Sequence, residues 1–360
     1  MARLVAAELH HLKLPLHTPY HLSYRTFDVF EPYLVVVHDS DGRMGFADGH
    51  ISPGSSSETR DGGWRYLVEH FDRLIGTDIA DVKQRVLASA EQSKVAATTI
   101  LTAIELLEGV ALLDVPVDHA LPLLAPTNAT TPEAIAAEVE HRCGEGYRCL
   151  KIKVGKDVDI DLARVRHYQA AFAGRGTLRI DANRAYSREE GMRFAGSLDP
   201  NGIELFEQPC AADDWDGNAA VAAVSTVPLM LDEPICTLAD IERAATIDGV
   251  GLCKLKLKRA GSLTRLAESL ELVRRCGMEP VLGDGLGSDL HAWLEACAAR
   301  HHIRNAGEFN GFLKCNDRLL ADPPHFDNGQ MWLAAGSKPA LDRVAVNRLS
   351  SAQRSFGKLP

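Results

Sequence analysis

Short apolar runs alternate with helical stretches from about residue 120 to residue 308, and this alternation constrains the fold more than any other feature. Eight runs have the length and composition of buried strands. They cover residues 121–124, 149–154, 178–181, 203–207, 229–232, 251–257, 280–283 and 303–308. Alternating strands and helices predict parallel βαβ units, and eight successive units predict a (β/α)8-type barrel of the α/β class. The alternative is an open doubly wound sheet, but no GxGxxG sequence opens the first unit.

The residues outside this repeat predict an α+β capping domain. Residues 34–37 and 44–47 are apolar runs on either side of a turn sequence, so they predict a hairpin. Residues 64–112 have helical spacing. The predicted division of the chain is a capping domain over 1–118, a catalytic barrel over 119–317, and a C-terminal segment over 318–360 that packs back on the cap.

Composition and charge exclude several classes of protein. With 46% hydrophobic and 24% charged residues among 360, the chain is globular rather than disordered or fibrous. Its formal net charge of −10 does not favour nucleic-acid binding, and no apolar run reaches the ~18 residues of a membrane span. The N-terminal residues lack the features of a signal peptide. The eight cysteines form no CxxC pair, so we expect reduced thiols and a cytoplasmic location.

Polar residues follow the predicted strands at intervals of 24 to 28 residues, which is the length of one βα unit. These residues are Lys153, Asp181, Glu207, Asp232, Lys256, Asp284 and Glu308. One Asp or Glu after a strand is most often a helix N-cap, but seven polar residues in phase, two of them lysines, are poorly explained as caps. In a barrel, the carboxyl ends of all strands converge on one mouth, where barrel enzymes keep their active sites.

Three of these residues are carboxylates on consecutive strands and predict a metal site. Asp181, Glu207 and Asp232 would repel one another strongly unless a cation neutralised them. Ligand sets made only of oxygen favour Mg²⁺, with Mn²⁺ as a possible substitute, and the lack of His or Cys disfavours zinc. Asn183 is a candidate donor to these carboxylates, and Glu233 is a less favoured ligand because it alternates with Asp232.

Lysines recur two residues apart on two of the predicted strands. Lys151 and Lys153 share one face of a strand, and the lysines at 254, 256 and 258 share another. Lysines often mark a solvated strand edge, but a closed barrel has no edge, so inward lysines need a function. We expect an inward ammonium beside a divalent cation to have a lowered pKa and to act as a general base.

Taken together, these motifs resemble the enolase superfamily, and within it the mandelate racemase/muconate lactonizing enzyme family. The resemblance covers nearly the whole chain. The matching motifs are KIKVG with Lys153, DAN with Asp181, EQP with Glu207, DEP with Asp232, and Lys256 five residues before a glycine. Each motif alone is weak, whereas the set is specific.

The resemblance implies a role for each motif. Mg²⁺ would be held by the three carboxylates, Lys153 and Lys256 would be acid/base groups on opposite faces of a small carboxylate substrate, and Lys151 would tune Lys153. The choice of Lys256 among its neighbouring lysines rests on the family match. The resemblance also implies a Mg²⁺-dependent lyase or isomerase that abstracts the α-proton of its substrate, and we expect a homo-oligomer.

Candidate substrate-binding residues come from the barrel mouth and from the cap. They are Asp284, Glu308, Asn183, His21, Tyr24 and His50. Strand eight lacks the Asp-x-Asp sequence with which dipeptide epimerases hold an α-ammonium, so Asp284 and Glu308 are candidates to hold an ammonium or a hydroxyl instead. The favoured function is a racemase, epimerase or dehydratase of an amino acid or a hydroxyproline-like imino acid. A cycloisomerase, a dipeptide epimerase, a Schiff-base aldolase and a non-catalytic carboxylate-binding barrel are the alternatives.

Overall fold

The structure, a computed structural model, describes residues 2–21, 25–54 and 56–359. Its N-terminal part is a strand-rich cap with three helices. The cap elements are β1 (Leu4–Leu12), β2 (Leu14–His21), β3 (Thr26–Phe30), β4 (Tyr33–Asp39), β5 (Met44–Gly49), α1 (Arg60–Leu74), α2 (Ile79–Ala88) and α3 (Lys94–Glu108). Strands β4 and β5 pair antiparallel from Tyr33–Gly49 to His38–Met44, which confirms the predicted hairpin.

Seven parallel strands form the wall of the barrel, after an antiparallel strand β6 (His119–Pro122). The wall strands are β7 (Ala125–Thr127), β8 (Cys149–Lys153), β9 (Thr177–Asp181), β10 (Ile203–Glu207), β11 (Leu229–Leu231), β12 (Val250–Leu255) and β13 (Glu279–Leu282). Each pairs with its neighbours in chain order, as expected for successive βα units.

Two strand predictions were wrong in detail. The first wall strand is β7, whereas residues 121–124 belong partly to β6, because the chain makes an antiparallel pairing before it enters the barrel. No strand covers residues 303–308. Instead, Glu308 N donates to Leu282 O and Leu124 N donates to Gly307 O. Residues 307 and 308 therefore link the two ends of the sheet and close the barrel.

Helices separate the wall strands and begin at defined caps. They are α4 (Pro132–Gly144), α5 (Val158–Phe172), α6 (Arg188–Gly196), α7 (Trp215–Val224), α8 (Leu238–Ala244), α9 (Leu257–Ala260), α10 (Leu263–Arg275) and α11 (Asp289–His302). Ser187 and Glu190 form a capping box at α6, and the Ser288 hydroxyl accepts from two backbone N–H groups at the start of α11. These caps satisfy N–H groups that would otherwise lack a partner.

The C-terminal residues contact both parts of the molecule. They form β14 (His325–Asp327), β15 (Gln330–Leu333), α12 (Arg343–Leu349) and β16 (Ser350–Gly357). Strand β15 pairs with β6 near the barrel, whereas β16 pairs antiparallel with β1 and completes a four-stranded cap sheet in the order β16-β1-β4-β5. The boundaries at residues 118 and 317 stay predictions. Among the described residues, no helix combines the length and the apolar character needed to cross a membrane.

Helix α3 joins the cap to the barrel beside the end of β12. The buried Glu105 carboxylate accepts hydrogen bonds from the backbone N–H groups of Leu263 (2.7 Å) and Thr264 (3.2 Å), in the first turn of α10. The Thr98 hydroxyl accepts from Gly261 N at 3.0 Å. A carboxylate at a helix N-terminus is favourable because the helix dipole places partial positive charge there. The cap is thus held against the turn that follows Lys256.

We predict that Glu105→Ala lowers the free energy of unfolding by about 1–3 kcal/mol, because it leaves buried N–H groups of α10 without an acceptor. Urea unfolding of the purified variant measures this change. Glu108→Ala in the same helix is the control, since its exposed ion pair with Lys83 contributes no more than about 1 kcal/mol. Equal losses in the two variants would contradict the anchoring role of Glu105.

Candidate active site

A cavity of about 410 Å³ lies at the carboxyl ends of the barrel strands, under the cap. All seven polar residues that recur with the βα period line it. Their convergence follows from the parallel order of the strands, because successive strands end at the same mouth. Few apolar side chains line the cavity, whereas eight basic and eight acidic residues line it.

The three predicted metal ligands are buried at the ends of β9, β10 and β11, and lysines contact them. Lys151 Nζ lies 2.9 Å from Asp181 and 2.7 Å from Glu207. Lys256 Nζ donates to Asp232 Oδ2 at 2.7 Å. The pKa of the Glu207 carboxyl is raised by burial and by the negative charge of Asp181, although Lys151 opposes the increase. Charge on these oxygens is therefore balanced by ammonium groups.

The donor chemistry of this set fits a hard divalent cation. The nearby acceptors are carboxylate oxygens, and buried Glu207 Oε2 makes no well-aligned hydrogen bond. Across residues 2–21, 25–54 and 56–359, however, no group of three or more His, Cys, Asp and Glu side chains is arranged to hold a metal. The residues therefore offer the oxygen donors that such a cation prefers, and lysine ammonium groups lie beside these carboxylates.

Lys151 and Lys153 reach the same carboxylate from successive inward positions of β8. Lys153 Nζ donates to Asp181 Oδ2 and, at 2.8 Å, to Asn183 Oδ1. The Asn183 backbone N–H donates to Asp181 Oδ1 at 2.8 Å, with Asn183 at a positive φ of 45°. Lys151 is almost fully buried, whereas the Lys153 side chain is 25% exposed. Lys153 is thus the one of the two that faces the open part of the cavity.

The lysine run after Cys253 does not continue as a strand, contrary to the sequence prediction. Strand β12 ends at Leu255, Lys256 is the N-terminal flanking residue of α9, and Lys258 lies within that short helix. All three lysines still line the cavity, because the turn folds the chain back towards the mouth. Arg259 from the same helix donates to Asp232 Oδ1 at 2.9 Å.

The expectation of lowered lysine pKa values applies to a site that holds a divalent cation and stays a prediction, whereas with carboxylates alone around them the lysine pKa values are raised. Burial alone would lower the pKa of Lys151, but the negative charges of Asp181, Glu207 and Glu308 together raise it well above its usual range. Burial would also lower the pKa of Lys256, but the negative charge of Asp232 outweighs this effect and raises that pKa above its usual range. A lowered pKa requires a cation that takes over the charge of these carboxylates.

Glu308 and Asp284 also line the cavity, and each is paired with lysine. Lys151 Nζ donates to both carboxylate oxygens of Glu308 at 3.0 Å, and Lys254 Nζ donates to Glu308 Oε2. Asp284 forms an ion pair with Lys258 and accepts from Leu286 N at 3.0 Å. Although burial would raise the pKa of both carboxyls, these ammonium groups hold it low.

The candidate residues of the cap have different positions. His50 lines the cavity, packs edge-on against Phe27 and Phe30, and has its pKa lowered to about 3, first by burial. His21 is exposed, contacts the Thr26 hydroxyl through Nδ1, and does not line the cavity. Tyr24 lies outside the described residues. Of the three cap candidates, His50 is the one that the structure places at the mouth.

Sequence reasoning missed two pairs at the mouth. The first joins Arg184 to Glu233 at 3.3 Å, and burial together with the charge of Asp232 raises the pKa of Glu233 to about 7. The second joins the cap to the barrel: Lys314 Nζ lies 4.6 Å from the centroid of the Tyr20 ring. The partners in each pair are far apart in the chain, so no regular spacing in the sequence indicates that they meet. Tyr20 does lie in a polar-aromatic stretch of the cap, which is the one feature that could have drawn attention to it.

Lys314 connects three segments at the rim. It donates to Gly285 O and to Asn310 Oδ1, both at 2.9 Å, while its ammonium faces the Tyr20 ring. A side chain at Gly285 would place its Cβ 3.1 Å from the Tyr20 hydroxyl, so glycine permits this approach. Burial lowers the pKa of Lys314 to about 8, against the raising effect of Glu308 and Asp284. Next to the cavity residue Tyr20 there is thus a lysine whose pKa is lowered to about 8.

We predict that this titration is visible in the stability of the protein. Above pH 8 Lys314 loses its proton in the folded protein, whereas in the unfolded chain it keeps the proton to about pH 10.4. Because the unfolded state binds more protons between these two values, the contribution of Lys314 to the free energy of unfolding rises with pH in that range. The free energy of unfolding of the parent should therefore rise relative to that of Lys314→Met from pH 8 to pH 10. Urea unfolding measures this difference, and the exposed Lys156→Met variant is the control. Parallel pH curves for the parent and Lys314→Met would disprove the assignment.

Fold and site together define a capped barrel whose mouth carries carboxylates between lysines. Residues 134–337, more than half of the chain, match the family described as "Enolase C-terminal domain-like". The L-Ala-D/L-Glu epimerase of Clostridium acetobutylicum is 26% identical over 94% of this chain and 97% of its own length. The o-succinylbenzoate synthase of Geobacillus kaustophilus is 28% identical over 82% of this chain and 78% of its own length.

The solved structures extend this likeness to the fold of the whole chain. Muconate lactonizing enzyme from Pseudomonas fluorescens superimposes with a TM-score of 0.85 at 23% identity, over 97% of this chain and 99% of the other. The chain belongs to the enolase superfamily, in the mandelate racemase/muconate lactonizing enzyme group. This confirms the family resemblance and the fold class read from the sequence, and it makes the chain an enzyme of a group of isomerases, epimerases and lyases.

Proposed function

We propose that the protein is a Mg²⁺-dependent racemase or epimerase that exchanges the α-proton of a carboxylate substrate derived from an amino acid. The observation that carries the proposal is the placement of Lys153 and Lys256. They come from β8 and from the end of β12, on either side of the strands that carry Asp181, Glu207 and Asp232, and both line the cavity. A carboxylate held at the acidic strands would have one lysine on each face of its α-carbon.

The carboxylates and the lysines would divide the work. Asp181, Glu207 and Asp232 would hold the divalent cation, which supplies a positive charge that stabilises negative charge developing on the substrate carboxylate. With the carboxylate charge taken up in this way, Lys153 or Lys256 would lose its stabilising partner and could reach the neutral form needed to accept the α-proton. The opposite lysine, in its ammonium form, would return a proton to the other face.

The buried lysine between the acidic strands has a separate role in this scheme. Lys151 contacts carboxylates from β9, from β10 and from the segment after β13, and it is almost fully buried, so it would keep a positive charge beside the carboxylate end of the substrate. Its charge also acts on Lys153, two residues further along β8. Asn183, which contacts both Asp181 and Lys153, would fix the direction of the Lys153 ammonium.

The relatives support racemisation or epimerisation over the other reactions considered. One relative acts on L-Ala-D/L-Glu, and a solved structure of the same fold is an N-succinyl Arg/Lys racemase. A dehydratase and a muconate-type cycloisomerase share the first proton transfer and remain alternatives, since relatives include o-succinylbenzoate synthase. A non-catalytic binder has no need of two opposed bases, and a Schiff-base aldolase has no need of three acidic strand ends. A homo-oligomer and a cytoplasmic location stay predictions.

We predict that Asp181→Asn, Glu207→Gln and Asp232→Asn each weaken Mg²⁺ or Mn²⁺ binding and abolish α-proton exchange while the fold is retained. Each change removes one negative oxygen donor. Calorimetry with Mg²⁺ and paramagnetic resonance with Mn²⁺ measure binding independently of activity, and circular dichroism monitors folding. Glu233→Gln is the matched control, because Glu233 pairs with Arg184. Normal binding in Asp232→Asn together with loss in Glu233→Gln would overturn the ligand assignment.

We predict that each lysine serves one enantiomer. Lys153→Ala and Lys256→Ala should each retain α-deuterium exchange in D2O with one enantiomer only, and with opposite preference, while net turnover falls by the ~10²–10⁴ typical of losing a general acid or base. Proton NMR of each enantiomer, variant by variant, measures the exchange. A dehydratase would show slowed exchange and elimination without an enantiomer preference. Parent-rate exchange of both enantiomers in both variants would show that neither lysine is the base.

A further inference from the structure

A buried carboxylate holds the peptide group that follows Lys256. Glu295, in α11, is 0% exposed, and its Oε1 accepts a hydrogen bond from the backbone N–H of Leu257 at 3.0 Å. This N–H belongs to the peptide unit between Lys256 and Leu257. Glu295 itself does not line the cavity, so its contact with the site is made through the chain that it holds. Because a buried ionisable group is costly without a partner, this hydrogen bond is also what makes the carboxylate tolerable inside the protein.

The contact follows from the end of strand β12, which stops before Lys256. Gly283 N donates to Leu255 O at 3.0 Å, in the parallel pairing of β12 with β13. If that pairing continued, Leu257 N would donate to Gly283 O. The chain instead turns into α9 at Leu257, and this N–H donates to Glu295. A side chain from another helix thus replaces the backbone acceptor that a neighbouring strand would supply.

The other proposed acid/base lysine is held in a different way. Lys153 is the last residue of β8 and pairs with Asp181 of β9, and the next N–H along the chain, from Val154, donates to Asp181 O at 2.9 Å. The peptide group after Lys153 therefore has a backbone partner. Both lysines lie at strand ends, but the peptide group after Lys256 depends on a side-chain acceptor that a substitution can remove.

Glu295 is in turn oriented from the cap. His291, one turn earlier in α11, has its Nε2 3.7 Å from Glu295 Oε1, and its Nδ1 lies 3.2 Å from the backbone carbonyl oxygen of Asp48 in β5. Because a carbonyl oxygen only accepts, Nδ1 is the nitrogen that carries a proton and donates in this contact. Both His291 and Asp48 are 3% exposed, so water does not compete for these contacts. The three residues therefore form a buried path from the cap sheet to the peptide group after Lys256.

We propose that Glu295 is a positioning residue for Lys256: by holding Leu257 N, it sets the direction from which the Lys256 amine reaches the substrate, and it has no such effect on Lys153. This inference rests on the proposed function for the division of the two substrate faces between the lysines. Proton transfer is sensitive to position, since a misplacement of about 1 Å can cost about 10²-fold in rate. Loss of the Glu295 contact should therefore slow the reaction on one face of the substrate alone.

Three substitutions at position 295 separate the reach of the side chain from its charge. Glu295→Ala removes the acceptor, Glu295→Asp keeps the charge but draws the oxygen back by one methylene group, and Glu295→Gln keeps an oxygen at the same reach. Asp289→Ala is the matched control, because buried Asp289 in the same helix accepts from the N–H groups of Leu319 and Leu320 in the C-terminal segment. Circular dichroism and urea unfolding identify the variants that fold. Should Glu295→Ala fail to fold, Glu295→Asp carries the test.

The measurement is α-deuterium exchange in D2O, followed by proton NMR with the Mg²⁺-loaded protein. The probes are two stereoisomeric pairs that correspond to the names of two relatives: L-Ala-L-Glu with L-Ala-D-Glu, and N-succinyl-L-arginine with N-succinyl-D-arginine. The isomer whose exchange is lost in Lys256→Ala identifies the face that Lys256 serves. For that isomer, kcat should fall about tenfold to a hundredfold in Glu295→Ala and Glu295→Asp, with KM nearly unchanged. The other isomer, and both isomers in Glu295→Gln, should keep most of the parent rate.

The outcomes separate this inference from the proposed function. An equal fall for both isomers, parent rates in Glu295→Ala and Glu295→Asp, or the same split between isomers in Asp289→Ala would overturn the positioning role while leaving α-proton exchange in place. If the parent exchanged neither pair, the proposed function would fail instead. Hydrogen–deuterium exchange of the backbone over residues 256–261, measured by mass spectrometry, would then test the inference without turnover. Faster exchange there in Glu295→Ala than in Asp289→Ala would support it, and parent-like exchange would overturn it.

Discussion

The interior of the barrel depends on Lys151, whose ammonium lies within 3.0 Å of carboxylates from β9, from β10 and from the segment after β13. A charge buried to this extent is costly unless opposite charges surround it, and the reverse holds for the carboxylates. Neither the buried ammonium nor the carboxylates around it would be stable alone in this interior. The requirement fixes where the strand ends must meet, and it makes the mouth of the barrel a site at which the loss of one group disturbs several others.

Barrel closure is the structural condition for that arrangement. Glu308 reaches Lys151 because residues 307 and 308 bond to Leu282 on one side and to Leu124 on the other. Gly283 permits this approach, since a Cβ there would lie 2.5 Å from Phe309 N and its φ is +103°. The ion pairs across the interior and the backbone bonds across the seam therefore depend on each other. Closure explains why a residue at position 308 acts together with one at position 151.

Much of this could be read from the sequence, because it is periodic. The interval of 24 to 28 residues between polar positions predicted the barrel, and all seven residues line one cavity. The period does not indicate which of these side chains contact one another. Nothing in the spacing indicates that Glu308 is shared by two lysines, or that Lys314 supports Tyr20 from the other domain. The raised pKa values of Lys151 and Lys256 in the absence of a cation could not be read from the spacing either, since a pKa depends on which charges are in contact.

In the proposed function, the reaction and the choice of substrate would depend on different residues of one cavity. Under the proposed function, the acidic strand ends with Lys153 and Lys256 would serve any acid that has a proton beside its carboxylate, and the relatives include both an L-Ala-D/L-Glu epimerase and an o-succinylbenzoate synthase. These groups cannot therefore discriminate between substrates. Discrimination must come from groups that contact the remainder of the molecule. In this chain the residues that line the cavity in a position to do so are Asp284 and Glu308, which both follow β13, together with His50 and Tyr20 from the cap.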